Sequence, residues 1–164
     1  MDTLEQAKET ALKYLTARLR TRQEVKQLLQ KKGYTAEITA QVLEFLERYQ
    51  YLDDAVYCRS WISDRVRFHP CGRQKMAFEL SKKISDRQLI AESLETYFPR
   101  ELEIESAVAA AQKKIAGSSQ GMGRDKLGRF LYSKGYGGSV IRAVFQEDEI
   151  LALLGNSSEC YDEN

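Results

Sequence analysis

The side chains best suited to nucleophilic or acid–base chemistry are few and scattered in this sequence. His69 is the only histidine, and no serine or cysteine stands near it in a recognisable nucleophile setting. Asp53 and Asp54 are adjacent carboxylates, but neighbouring residues of a helix point in different directions. We therefore interpret this pair as a helix start, where negative charge suits the helix dipole. The lack of a recognisable catalytic arrangement favours a protein that is not an enzyme.

Metal and nucleotide motifs are also missing from the sequence. The cysteines Cys58, Cys71 and Cys160 form no CxxC pair and provide no four-ligand spacing with the lone histidine. The segment Gly121-Met122-Gly123 belongs neither to a Walker phosphate loop nor to a strand-led GxGxxG motif. We expect no metal and no cofactor, and we expect reduced thiols because the polar N-terminus is not a signal peptide.

The remaining chemistry lies in the arginines and lysines, many of which recur at corresponding points along the chain. The candidate residues for binding a partner or DNA are Arg18, Arg22, Lys32, Arg65, Arg67, Arg73, Lys75, Lys83, Lys114, Arg124, Lys126 and Lys134. One interpretation is a set of basic rows that face a phosphate backbone or an acidic surface. The other is an ordinary solvated surface, on which long side chains cover hydrophobic edges. The sequence leaves both open.

An internal repeat positions these basic residues. A shift of 51 residues relates the three positions at which the second helix of each repeat is predicted to start. The same shift relates the leucines that follow these positions to one another, and likewise the lysines. The three matched sets are Thr21, Gly72 and Gly123; Leu29, Leu80 and Leu131; and Lys32, Lys83 and Lys134. Upstream, an i, i+3, i+4, i+7 pattern places apolar residues on one helix face and ends on a basic residue. Its three copies are Ala11, Tyr14, Leu15 and Arg18; Cys58, Trp61, Ile62 and Arg65; and Ala107, Ala110, Ala111 and Lys114.

Local signals divide each repeat into three helices. Thr21 to Glu24 has the spacing of a capping box, Gly33 is suited to end the same helix, and Thr35 can cap the next one. A second capping box is predicted at Ser85 to Gln88. The first helix is predicted from about residue 3 to Arg20. The recurring aromatics Tyr14, Tyr34, Trp61 and Tyr136 favour core packing over base stacking.

The predicted fold class is all-α, with three tandem three-helix repeats stacked into an elongated, curved array. We place the repeats at residues 1–54, 55–100 and 101–148, followed by an acidic tail at 149–164. The charge is uneven although the net charge is +1. Residues 56–145 hold sixteen basic and nine acidic residues, whereas residues 146–164 hold six acidic residues and no basic one. With no long apolar run, we expect a cytoplasmic protein without membrane contact, and a monomer.

These segments, in this order, resemble the RecX family of bacterial regulators of the RecA recombinase. The resemblance rests on residues 11–18, on Glu24 to Tyr34, on Tyr51-Leu52-Asp53-Asp54, on the helix with Trp61 and Arg65, and on Gly72 to Leu80. It spans about residues 5–145. The chain departs from the family pattern at Gln50, where a glycine is usual, at Ile84, which replaces a Lys-Gly ending, and at Thr21, where a serine is usual. These departures concern turn geometry.

The resemblance implies a function that the residues alone do not give. It implies a protein without enzymatic activity that binds in the groove of the RecA filament on single-stranded DNA. There it would limit filament growth, ATP hydrolysis and strand exchange, and so act in recombination and DNA repair. Some members of the family also contact DNA. Whether RecA is inhibited or stabilised is not determined by the sequence.

The alternative is a helical protein that acts directly on duplex or single-stranded DNA. The predicted second and third helices of the first repeat, 22–32 and 35–49, have the size of a helix-turn-helix. However, the third helix carries Glu37, Glu44 and Glu47 against a single Arg48. An acidic helix is poorly suited to a groove that is lined by phosphates.

Overall fold

The structure is a computed structural model that describes residues 3–158, and these residues form ten α-helices with no strand among them. In chain order they are α1 Thr3–Ala17, α2 Arg22–Lys31, α3 Ala36–Arg48, α4 Asp54–Phe68, α5 Arg73–Ser81, α6 Arg87–Tyr97, α7 Arg100–Ala116, α8 Arg124–Ser133, α9 Gly138–Val144 and α10 Asp148–Ser158. The first nine form three successive sets of three, which confirms the predicted all-α repeat fold. None of the described helices could span a membrane.

The predicted caps of the first repeat are present. Thr21 accepts a hydrogen bond from the amide of Glu24 at 3.2 Å, and the Glu24 carboxylate accepts one from the amide of Thr21 at 2.8 Å. Thr35 accepts in the same way from the amide of Ile38 at 3.2 Å. Gly33 follows α2 with a φ of 88°, in the left-handed region that glycine favours. Local sequence therefore defines the start and the end of α2.

Two helix boundaries differ from the predictions. The cap of α6 is Asp86, whose carboxylate accepts from the amide of Leu89 at 3.1 Å, so the capping box predicted at Ser85 is wrong by one residue. A carboxylate at the N-cap also interacts favourably with the helix dipole, which explains why aspartate takes this position. The first helix ends at Ala17 and not at Arg20.

The helix α10 was not predicted. It occupies much of the segment that we assigned to an acidic tail, and Ile150 within it is fully buried in a core with Val144 and Leu131. This buried side chain anchors the start of α10, because apolar burial outweighs the surrounding negative charge. Residues 159–164 of the expected tail, including Cys160, lie outside the described residues.

By internal packing the chain divides into two compact units. The N-terminal unit comprises Met1–Trp61 and Leu80–Ile90, and the C-terminal unit comprises Ile62–Glu79 and Ala91–Asn164. The division into three separate repeat domains stays a prediction. Each unit has a core of its own. That of the N-terminal unit includes Ala7, Ala11, Val25, Leu29, Val42, Leu43, Leu46 and Leu52. That of the C-terminal unit includes Ala107, Ala111, Met122, Leu127, Leu131, Tyr136, Val140, Val144, Phe145 and Ile150.

The repeat-equivalent tyrosines belong to these cores. The Tyr136 hydroxyl lies 2.8 Å from the hydroxyl of Ser106, and the Tyr34 hydroxyl lies 3.4 Å from that of Thr10. Tyr136 is fully buried and Tyr34 is half-buried. The same polar contact thus joins the first and second halves of repeats 1 and 3, in agreement with the core interpretation of these aromatics.

Candidate interaction surface

Of the arginines that begin the second helix of each repeat, Arg22 and Arg73 contact carboxylates, whereas Arg124 contacts an aromatic ring. Arg22 forms an ion pair between its Nε and the Glu47 carboxylate at 2.8 Å, and its backbone amide donates to Asp54 at 2.9 Å. The guanidinium of Arg124 lies over the ring of Phe145, 4.6 Å from the centroid. Arg22 is therefore held by carboxylates of its own unit, whereas Arg124 stacks on an aromatic ring.

Arg73, their counterpart in the second repeat, is the most engaged of the three. Its Nη1 donates to Glu95 at 2.9 Å, and its Nε and Nη2 donate to the carbonyl of Phe98 at 3.1 and 2.9 Å. Its backbone amide donates to Glu103 at 2.9 Å, and the Glu103 residue is only 5% exposed. Removal of the Arg73 side chain would leave the Phe98 carbonyl without these two donors and the buried Glu103 carboxylate without a guanidinium nitrogen 3.7 Å away, so we assign it a structural role.

Two further candidates also have intramolecular partners. Arg65 pairs with Glu79 at 2.9 Å, and Lys83 pairs with Glu24 at 3.5 Å. Burial acts to lower the pKa of Lys83, but the neighbouring Tyr57 hydroxyl and the Glu24 carboxylate outweigh it, so the pKa lies above its ordinary value. The fold therefore favours the charged form of Lys83.

Of the remaining candidates, all but the half-buried Lys75 are exposed at the surface. Arg18, Lys32 and Lys126 are exposed, and none of the three has a carboxylate within ion-pair distance among the described residues. Lys114 and Lys134 lie 4.9 and 5.7 Å from the ring centroid of one residue, Phe130. Arg67 lies in the same way over Phe68, at 5.1 Å. These cations keep their charge available to a partner.

A groove on the C-terminal unit collects several of these basic side chains. It has a volume of about 810 Å³ and is lined by the cations Arg65, Lys75, Lys113 and Lys134, with Glu105 as the one carboxylate. The side chain of Phe68 and that of Leu102 contribute apolar lining, and both residues are exposed, by 61% and 42%. We call this feature the basic groove. It suits an acidic surface that also offers an apolar side chain.

The sequence prediction found three of these four cations and missed Lys113. A signal was present, because α7 residues at helical spacing line the groove along one face, namely Leu102, Glu105, Ser106, Ala109, Ala110 and Lys113. The prediction instead used repeat equivalence, which selects the adjacent Lys114. His69 also lines this groove, from the loop between α4 and α5.

A second groove, of about 780 Å³, lies on the N-terminal unit and has a mixed character. Among its lining residues are the cations Arg22 and Lys26 and the carboxylates of Asp53, Asp54 and Asp86. Burial raises the pKa of the Asp54 carboxyl, although the hydrogen bond from the amide of Arg22 opposes the shift. Among residues 3–158, no group of three or more His, Cys, Asp or Glu side chains is placed to hold a metal ion.

Comparison with known proteins gives a consistent set of relatives. Residues 7–46 match the family described as RecX, first three-helix domain. The chain is 32% identical over 151 residues to the regulatory protein RecX of Clostridium botulinum strain Alaska E43. This match covers 89% of this chain and 70% of the relative. It is 35% identical over 148 residues to the regulatory protein RecX of Pelodictyon phaeoclathratiforme, and this match covers 88% of each chain.

Solved structures show the same fold. The crystal structure of RecX from Lactobacillus salivarius superimposes with a TM-score of 0.83 at 24% identity, and the match covers 91% of this chain and 97% of that one. A second crystal structure of a regulatory protein RecX has a TM-score of 0.78 at 25% identity and covers 89% and 73% of the two chains.

Proposed function

The chain belongs to the RecX family of regulatory proteins, and from this premise we propose that it regulates the RecA recombinase by binding its filament on single-stranded DNA. In this proposal the protein lies in the filament groove and limits filament growth, ATP hydrolysis and strand exchange. It acts in the cytoplasm as a monomer that binds without catalysing a reaction.

The observation that carries the proposal is the basic groove of the C-terminal unit. Lys113 and Lys134 are exposed and have no carboxylate partner among the described residues, and Lys75 is half-buried beside them. Phe68 and Leu102 add an apolar contact area to the charged lining of the groove. Such areas are typical of the centre of protein interfaces, where aromatic and other apolar side chains are enriched. A protein partner with an acidic rim and an apolar anchor fits this combination.

The test is the ATPase activity of RecA on single-stranded DNA, measured while the protein is titrated below stoichiometric amounts. We expect the wild-type protein to suppress the activity. About tenfold more of the triple variant Lys75→Gln, Lys113→Gln, Lys134→Gln should be needed, since three solvent-accessible charge contacts of about 0.5 kcal/mol each amount to about one factor of ten.

The matched control is the triple variant Lys13→Gln, Lys31→Gln, Arg48→Gln. It removes the same number of charges from exposed positions of the N-terminal unit that do not line the basic groove. We expect it to act like the wild type. Arg73 is left intact in both variants, because its loss would disturb the fold. A folded wild-type protein with no effect on RecA would contradict the proposal and favour direct binding to DNA.

A further inference from the structure

A smaller pocket lies beside the loop between α7 and α8, at residues 117–123. It has a volume of about 440 Å³, and its lining includes the lysines Lys113, Lys114 and Lys126 together with Ser119 and Gln120. Two of the lysines come from the last turn of α7 and one from the first turn of α8. The fold therefore brings three lysines to the lining of one concavity, which no continuous sequence motif describes.

The charges of this pocket are not balanced by the protein. Its lining holds no carboxylate, and none of the three lysines forms an ion pair within the described part of the chain. The ammonium group of Lys114 lies 4.9 Å from the centroid of the Phe130 ring, which carries no charge to neutralise it. Like charges held near one another repel, so an anion that enters the pocket relieves this repulsion and gains charge-assisted hydrogen bonds.

The adjoining loop is held in shape by its own hydrogen bond. The Ser118 hydroxyl donates to the carbonyl of Gly121 at 2.6 Å, and Gly121 has a φ of 80°. Gly123 provides the N-cap of α8 but has no side chain with which to accept from the first amides of the helix. Unlike Thr21 at the start of α2, it leaves those donors to solvent or to a ligand.

We propose that this pocket binds a polyphosphate chain, either that of a free nucleoside triphosphate or an inorganic one, without selecting a base. A polyphosphate concentrates several negative charges in a short chain, which matches three lysines around 440 Å³. A nucleic-acid backbone instead spreads its charges along an extended strand and needs an extended row of cations. No aromatic side chain lines the pocket, so nothing in it would stack on a base. The proposal is independent of the one for RecA.

The test is isothermal titration calorimetry in low-salt buffer without divalent metal ions, with no RecA present. The ligands are ATP, GTP, tripolyphosphate and AMP. We expect the first three to bind with affinities within about threefold of one another, and AMP to bind at least about tenfold more weakly, since it loses charge-assisted contacts worth about 1.5 kcal/mol or more. Equal affinity of ATP and tripolyphosphate supports recognition of the phosphates alone, whereas much weaker tripolyphosphate would overturn it.

The variant Lys114→Gln, Lys126→Gln removes two of the three charges and leaves Lys113, which also lines the basic groove. It should bind ATP at least about tenfold more weakly. The control Lys13→Gln, Lys31→Gln has the same net charge and should bind like the wild type. Thermal unfolding of both variants establishes that they are folded.

Three results would overturn the proposal. The first is an absence of binding at millimolar tripolyphosphate. The second is an equal loss of affinity in the control variant, which would show attraction to overall charge and not to this pocket. The third is a single-stranded oligodeoxynucleotide that binds through Lys114 and Lys126 more tightly than ATP, which would assign the lysines to nucleic acid.

Discussion

Gly72 and Gly135 lie in backbone contact within the C-terminal unit. A Cβ atom on Gly72 would stand 2.1 Å from both the carbonyl carbon and the carbonyl oxygen of Gly135. The amide of Gly72 donates to the carbonyl of Lys134 at 2.8 Å, and the amide of Gln74 donates to that of Gly135 at 3.2 Å. The start of α5 is thereby joined to the turn that follows α8, and only glycine allows the approach.

We expect Gly72→Ala to lower the free energy of unfolding by about 3 kcal/mol, because the methyl group meets backbone atoms that cannot move aside. The two hydrogen bonds to Lys134 and Gly135 would lengthen or break as the loops separate. Urea unfolding followed by circular dichroism measures the loss.

Gly123 is the matched control, since it occupies the equivalent N-cap position before α8. It has a φ of −79°, and a Cβ there would meet no atom within 4 Å. Gly123→Ala should therefore cost no more than about 1 kcal/mol, the usual penalty for alanine at an N-cap. Equal losses in the two variants would contradict the role assigned to the Gly72 contact.

Arg73→Ala should be destabilising by about 3 kcal/mol, because it leaves the buried Glu103 carboxylate without the nearby guanidinium. Arg124→Ala, its repeat equivalent, removes only a stacking contact and should cost about 0.5–1 kcal/mol. Chemical denaturation at constant pH compares the two.

The double variant Arg73→Ala, Glu103→Gln tests the cause of that loss. The neutral amide at position 103 still accepts from the backbone amide of residue 73, and it no longer requires a counter-charge. We expect it to be more stable than Arg73→Ala alone. If the second substitution adds a further loss, the buried charge is not the origin of the effect.

Much of the fold follows from local sequence, because caps and turns depend on residues that are close in the chain. The capping box at Thr21 and the left-handed turn at Gly33 were predictable for this reason. The start of α6 was missed by one residue, since Ser85 and Asp86 are both good N-caps and sequence spacing cannot choose between them. The helix α10 was missed because its acidic composition obscured the burial of Ile150.

The candidate surface was less predictable, because the role of a basic residue depends on partners that are distant in sequence. Arg22 pairs with Glu47 and Arg73 with Glu95, in each case across to the third helix of the same repeat and more than twenty residues along the chain. Repeat equivalence identified where cations recur, but it could not show which of them the fold already uses. Their roles in binding a partner stay a prediction.

Gln50, where the resemblance to the family leads one to expect a glycine, has a backbone conformation that glycine favours. It has a φ of 59°, in the left-handed region where residues other than glycine are strained by about 1 kcal/mol. Gln50→Gly should raise the free energy of unfolding by about 0.5 kcal/mol, since the relief of strain exceeds the entropy that glycine adds to the unfolded chain. Gln41→Gly, at an exposed position within α3, should instead lower it by about 1 kcal/mol. Thermal unfolding distinguishes these opposite signs, and a loss in both variants would contradict the strain at Gln50.

Asp54 gives the pH dependence of stability a defined sign. Burial is the main reason that its pKa is raised from the ordinary value of 3.8. A carboxyl with a higher pKa in the folded state binds its proton more tightly there, so its contribution to the free energy of unfolding falls as the pH rises from 3.8 through the folded pKa. Above that range the ionised carboxylate lowers the free energy of unfolding by an amount that no longer changes with pH.

Asp54→Asn should therefore be more stable than the wild type at pH 7, because an amide oxygen can accept from the Arg22 amide without carrying a charge. The advantage should shrink as the pH falls through the folded pKa of Asp54 toward 3.8, because the side chain at position 54 is then neutral in both proteins. Asp54→Ala, which loses the acceptor as well, should be less stable than Asp54→Asn at every pH. Urea unfolding between pH 3 and pH 8 measures all three proteins, and an asparagine variant whose advantage grows on acidification would reverse the sign assigned to this carboxyl.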